Sequence, residues 1–213
     1  MTRMDDYGKS HTGRRYAGLD ASDRAQRRRR SLLSAALELF GTRSYAASSV
    51  SQICAQAQLS ERYFYESFSN KENLLLQLYR ELTEELMSVT MAAIETVEDR
   101  HARAVKGLDA FTRNLLDDPR RGQVVLVEVV GVSPTLESVR NAQLRRFAED
   151  VVRPLFLKPQ PPPDTHNTLM ATALVGAVNN VLSDSLMNNP DPDIAALNRV
   201  CVQLFDAAYA QSG

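Results

Sequence analysis

The chain has no tryptophan, and only 9 glycines, 2 cysteines and 3 histidines in 213 residues. Cys54 and Cys201 lie far apart, each on an apolar face, and read as small core residues in a reducing compartment. With His11, His101 and His166 scattered, no metal-ligand spacing arises, so no metal site and no cofactor are expected. Neither a nucleophile motif nor a glycine-rich phosphate loop is present, which leaves no catalytic residue to assign and argues against an enzyme. Residues 1–30 are polar and basic without the apolar segment of a secretory signal. The longest uncharged stretch, 167–183, falls short of the ~20 apolar residues that span a bilayer and contains Asn179 and Asn180. A cytoplasmic protein without a membrane partner is the expectation.

What is present leans towards helices. Leu, Ala and Val are abundant, 44% of residues are apolar, and the length suffices for two modules with a substantial core. The net charge of −1 conceals an asymmetry: residues 1–80 hold 13 Lys or Arg against 8 Asp or Glu, and the remainder 12 against 18. A basic head on an acidic body is what a DNA-binding module carried by a separate domain should show.

The chain is organised around residues 49–74. Ser49 and Gln52 have the spacing of a capping box, and Val50, Ile53, Cys54 and Ala57 follow at helical steps. Residues 57–60 leave room for a tight turn before a second short helix, ERYFYESF, in which Phe64 and Phe68 share an inward face. Two short helices across a tight turn predict a helix-turn-helix. Ser69 and Glu72 form a second box-like pair, and Leu74, Leu75, Leu78, Leu82 and Leu86 carry a longer helix onward. Upstream, Leu33, Ala36, Leu37 and Phe40 give an amphipathic helix from residue 20 or 22 to 40, stopped by Gly41, with Tyr45 plugging the junction.

The stretches LLSAALELFGTRSYAASSV (32–50) and ICAQAQLSERYFYESFSNKENLL (53–75) resemble the TetR family of bacterial transcriptional regulators. The likeness covers roughly a quarter of the chain, or about a third with the basic lead-in at 24–30. It implies an all-α fold: an N-terminal three-helix helix-turn-helix head followed by a larger helical ligand-binding and dimerisation body. The expected division is a flexible basic arm at 1–22, the DNA-binding head at 23–70 and the body at 71–213. Two departures stand out. Gln58 occupies the turn where the family usually has glycine, and Arg62-Tyr63 stands where a small Gly-Thr pair is common. Gln58 must therefore accept whatever backbone the turn needs, at a cost if φ is positive.

Candidate DNA contacts follow from residue type and place. Arg27 and Arg30 belong to a basic run that can lie along phosphates. Ser48 and Ser49 sit where a helix N-terminus can meet a phosphate, and Ser60 opens the reading helix. Arg62 can grip both acceptors of a guanine, Glu61 can accept from a cytosine amino group or cap the helix, and Tyr63 can pack on a thymine methyl. The resemblance implies phosphate contacts for Tyr65 and Lys71.

In the body, helices are expected from Leu74 to about Val97, over 104–116, from the Asp118-Pro119 cap through the apolar run 122–132, and from the Ser133-Pro134 cap to Leu155. Pro159 to Pro163 break regular structure. Two further helices run from His166 or Thr168 to Met187 and from beyond Asp191-Pro192 to the end. Glu128 interrupts an apolar run, so it needs a partner or lines a pocket. With Phe111, Asn114, Leu115 and Asn179 it forms the candidate effector-binding set. Ala173, Gly176, Ala177 and Asn180 make a stripe of small residues, and Leu197, Cys201 and Leu204 recur along the last helix. The resemblance implies that these two helices pair with a second subunit.

The expected function is a homodimeric regulator, a repressor by family default, that binds a near-palindromic double-stranded operator and is released by a small-molecule effector. The alternative is an architectural or activating DNA-binding protein without an effector. An apolar cavity in the body would favour the sensor, and a solid core the alternative.

Overall fold

In the computed structural model, residues 12–156, 165–189 and 192–210 are described, and all regular structure among them is helical. Helix α1 (Thr12–Arg43) buries Leu32, Leu33, Ala36, Leu39 and Phe40 at steps of three and four. It starts well before residue 20, so 12–22 continue the helix rather than forming part of a flexible arm, and residues 1–11 lie outside the described set. It also runs through Gly41, the expected stop. Gly41 serves a close contact instead, since a Cβ there would lie 2.4 Å from Cβ and 2.7 Å from Cα of Arg120. The missing side chain lets the body's backbone come up against α1.

Helix α2 (Val50–Gln56) starts with the capping box read from the sequence. The Gln52 N–H donates to Ser49 Oγ at 3.2 Å, and the Ser49 N–H donates to Gln52 Oε1 at 2.8 Å. Gln58, at φ 56°, adopts the left-handed conformation that glycine takes without penalty. After this turn, α3 (Glu61–Ser67) packs Phe64, with Phe68 just beyond it, into the head core at 0% and 2% exposure. The cap of α4 (Lys71–Glu95) is Asn70 rather than Ser69, its Oδ1 accepting from the Asn73 N–H at 2.7 Å. Leu74, Leu75, Leu78, Leu82 and Leu86 are all buried along α4 and belong to one core with α1 to α3 and the first body segments. Head and body therefore share a continuous apolar spine.

Asp99 accepts from the Ala102 N–H at 2.8 Å, which starts α5 (Arg100–Leu116) four residues before the expected 104. Asp118 caps α6 (Pro119–Gly122). The apolar run that follows is not an ordinary α-helix: Gln123–Glu128 forms a wide π-helical segment burying Val124, Val125 and Leu126, and a turn through Gly131 at φ 73° ends it. Helix α7 (Pro134–Phe147), capped by Ser133, continues as a second π segment, Ala148–Val152, and the single turn α8 (Arg153–Phe156). The prolines at 159–163 lie outside the described residues.

Helices α9 (Thr165–Asn188) and α10 (Ile194–Ala210) complete the body. Met87, Ile94, Leu155, Leu174 and Phe205 form a second core between them and α4. Within α9, Asn167–Asn188 spans 22 residues and is long and apolar enough to cross a membrane by length and composition, which the shorter uncharged run did not suggest. Only 17% of its most apolar window is buried within this chain. One side of α9 packs on the body while Leu169 (64%) and Met187 (61%) stay exposed.

Candidate DNA-reading face and ligand cavity

The inward pull of Phe64 and Phe68 turns the other residues of α3 outward, because neighbours three and four apart share a face. Ser60, Glu61, Arg62, Tyr63 and Tyr65 are all exposed, with Tyr65 at 57% and the Arg62 side chain at 83%. Arg62 Nε lies 3.1 Å from Glu66 one turn on, an exposed pair that a phosphate or base can replace at little cost. The Tyr63 ring carries the Arg28 guanidinium at 4.5 Å, and Arg29 lies over Phe68 at 4.7 Å while reaching Glu81 at 3.4 Å. Arg28 and Arg29 thus clamp α1 onto α3 and α4. Arg27 and Arg30 remain exposed on α1.

Two predicted contacts are placed differently. Ser48 is buried, at 4% exposure, and its hydroxyl donates to the Ser44 carbonyl at 2.7 Å, so its side chain is engaged in the loop. Ser49 is exposed, with its oxygen holding the cap of α2. Lys71 points inward from the start of α4: Nζ donates to the Tyr45 and Ser48 carbonyls at 2.8 and 2.7 Å, with Nζ 4.1 Å from the Tyr45 ring centre. Burial lowers its pKa. In this arrangement Lys71 ties the α1–α2 loop to α4 instead of facing outward. Tyr45 is half-buried, edge-on to Phe40 at 5.3 Å.

The same loop is tied to the body from the other side. Glu128 is not in the wall of the body's apolar cavity. Its carboxylate accepts from the Tyr45 N–H at 2.6 Å and from Gln123 Nε2 at 2.8 Å, which supplies the partners that a carboxylate in an apolar run requires. Arg120 bonds Glu38 of α1 at 2.5 Å and Asp118 at 2.7 Å. Hydrogen bonding to Arg120 holds the Asp118 carboxyl below its ordinary pKa. Ser133 donates to Glu72 at 2.6 Å. These contacts, with Gly41, form a polar junction that sequence reasoning missed, since the Tyr45–Glu128, Glu38–Arg120 and Glu72–Ser133 pairs each join residues far apart in the chain.

Inside the body lies a narrow cavity of about 100 Å³, walled by α4, α5, both π segments, α7, α9 and α10. Of the predicted lining, Phe111 and Asn179 are there, Phe111 meeting Phe147 edge-on at 5.1 Å. Asn114 and Leu115 are not. Asn114 accepts from Arg121 at 3.2 Å near the surface, and Leu115 is core at 1% exposure on another side of α5. Cys201, expected at a subunit interface, is buried and forms part of the cavity wall. Burial raises its thiol pKa, as it does for Cys54. Ala173, Gly176, Asn180 and Leu204 are exposed, and Ala177 and Leu197 are half-buried. A Cβ added at Gly176 would meet nothing within 4 Å.

The wall is mainly aliphatic and aromatic. Along α4 it extends from Tyr79 to Ile94, about 22 Å at the α-helical rise. Thr83 and Thr90 line it, but both hydroxyls donate to backbone carbonyls of their own helix. Such a space accepts a long apolar chain far better than a compact polar molecule.

Comparison with known proteins follows the same division. Residues 32–78 match the model of the bacterial regulatory proteins of the tetR family. The HTH-type transcriptional activator FasR of Mycolicibacterium smegmatis is 33% identical over 84 residues, 39% of this chain and 38% of that protein. That match thus spans well under half of the curated relative. Among solved structures, the regulator FadR from Bacillus subtilis in complex with stearoyl-CoA superimposes with a TM-score of 0.74 at 19% identity, over 84% of this chain and 97% of that one. The fatty acid degradation regulator FadR from Bacillus halodurans gives 0.72 at 18% identity, over 84% and 94%. At these identities the structures share the fold.

Proposed function

We propose that this chain, whose residues 32–78 match the model of the tetR family of bacterial regulatory proteins, is a homodimeric repressor released from its operator by a ligand with a long apolar chain. The observation that carries this reading is the apolar cavity in the body, walled by the same α4 whose first residue ties down the loop before the reading helices. A solid body would have favoured a DNA binder without an effector. The ligand-bound relative from Bacillus subtilis supports an acyl chain as the apolar part.

Dimerisation through α9 and α10 is supported by the exposed apolar residues Leu169, Met187, Val200 and Leu204, all on these two helices. It is also supported by the open backbone at Gly176. Two copies of α3 then read two half-sites, about 34 Å apart for each helical turn. A ligand wedged along α4 releases DNA only if it binds better to a conformation with wrongly spaced reading helices. Activation is the second reading, favoured by the activator among the relatives.

The test is selection of bound duplexes from a random pool, then affinity for the winner at two salt concentrations with and without palmitoyl-CoA. A palindromic winner released by palmitoyl-CoA supports the proposal. No enriched sequence, with weak salt-sensitive binding alone, refutes a specific repressor. Reporter transcription from a promoter carrying the winner separates repression from activation.

A further inference from the structure

One end of the cavity differs from the rest. Tyr79 of α4 is 2% exposed and lines the cavity, yet its hydroxyl has no hydrogen-bond partner among the described residues. A hydroxyl that lines a mainly apolar cavity and has no partner there can take an acceptor that arrives from outside. Arg140 and Gln143, one turn apart on α7, line the same cavity, and the Gln143 amide likewise meets no partner among the described residues. The Arg140 side chain is 20% exposed and lies 3.5 Å from Glu137, a long contact that leaves most guanidinium donors available. Tyr79 and Arg140 are close enough to couple electrostatically. Burial pushes the Tyr79 phenol up to about 12, so it stays protonated and can donate.

We propose that Tyr79, Arg140 and Gln143 form the head-group site of the cavity, holding the carboxyl-type oxygen of an acyl ligand while its chain runs along α4 towards Ile94 and Phe205. The assignment rests on the reading of the cavity as an effector site and adds the direction and chemistry of the occupant. Three side chains with donors line the cavity and, among the described residues, no carboxylate does, so the head group is an acceptor, either the carboxylate of a fatty acid or the carbonyl of its thioester. Arg140 supplies a charge-assisted bond to either oxygen and a full ion pair to the former. The apolar remainder of the wall gives the chain its affinity, and the polar end sets which chains are accepted.

The experiment is displacement of a fluorescent fatty acid from the purified full chain by palmitate, palmitoyl-CoA and 1-hexadecanol, in wild type and in Tyr79→Phe, Arg140→Gln and Gln143→Leu. Wild type should bind at least one acyl ligand more tightly than the alcohol. Tyr79→Phe and Arg140→Gln should weaken that ligand about 10- to 100-fold and leave the alcohol unchanged. A larger loss for palmitate than for palmitoyl-CoA in Arg140→Gln identifies the carboxylate, and an equal loss identifies the carbonyl. Equal wild-type binding of all three, or variants that lose all three alike, overturns the head-group site while leaving an apolar effector cavity standing. Failure of wild type to bind any of the three removes the cavity reading and this assignment with it. Three variants on two helices, each checked by circular dichroism, keep the test decisive if one of them misfolds.

Discussion

Replacing Gly41 by alanine sets two opposed effects against each other. Inside a helix, alanine is favoured over glycine by about 1 kcal/mol. At this position, however, the new Cβ would lie 2.4 Å from Arg120 Cβ and 2.7 Å from its Cα, where ordinary contact begins at 3.4 Å. Arg120 Cα is backbone and cannot swing aside, so α1 and α6 must part by about 1 Å. Overpacking of this kind costs about 1 to 3 kcal/mol. The shift also stretches the Arg120 bonds to Glu38 and Asp118, which are partly exposed and add at most about 1 kcal/mol. The net expectation is a loss of up to about 3 kcal/mol, centred on about 1.5 kcal/mol. Urea unfolding followed by far-ultraviolet circular dichroism, at one fixed protein concentration, reads it as a lower midpoint. A higher midpoint, with the propensity gain showing through, would refute the close approach of head and body.

Gln58→Gly should raise stability by about 1 kcal/mol in the same assay, since only glycine takes φ 56° without a Cβ penalty; a loss would mean the side chain makes up for its backbone. Arg62→Ala should relax discrimination at one base position by about 1 to 3 kcal/mol in competition binding, whereas an equal loss on every duplex would make it a phosphate contact. Gly176→Ala should weaken self-association in sedimentation equilibrium, because the space beside it is open in one chain and would be filled by the partner; an unchanged dimer removes Gly176 from the interface. Tyr79, raised from 10.0 to about 12, binds its proton more tightly in the folded state. Its contribution is therefore fully present below pH 10 and lost by about pH 12, worth about 3 kcal/mol; an absorbance titration of wild type against Tyr79→Phe should show a missing late phase, and titration at the ordinary tyrosine value would contradict its burial.

The head was legible in the sequence because its signals are local. The Ser49 and Gln52 box, the inward Phe64 and Phe68 and the leucines of α4 depend on spacings of three and four, which a helix turns directly into contacts. Gly41 was misread for the same reason. A glycine after Phe40 resembles a helix stop, and only Arg120, brought in from far along the chain, explains why the helix passes through it. Lys71 and Glu128 show a similar limit. Lys71 was expected to face phosphate and Glu128 either a partner or a pocket, and each binds backbone of the α1–α2 loop. The cavity was legible only in part: of the five residues named for it, Phe111 and Asn179 line it, and Arg140 and Gln143 look like any solvated charge and amide until α4 is packed beside them.

The uncovered apolar side of α9 has a consequence for how the protein responds to its own abundance. If α9 and α10 mate two copies, folding and assembly share one mass-action equilibrium, and each tenfold dilution removes about 1.4 kcal/mol from the assembled state. Thermal midpoints should then drift with concentration. Subunits left single at low copy number would expose Leu169, Met187 and Val200 to proteases and to other apolar surfaces. Synthesis level would thereby set the lifetime of the subunit, so that a cell making little of the protein loses it faster than dilution alone predicts.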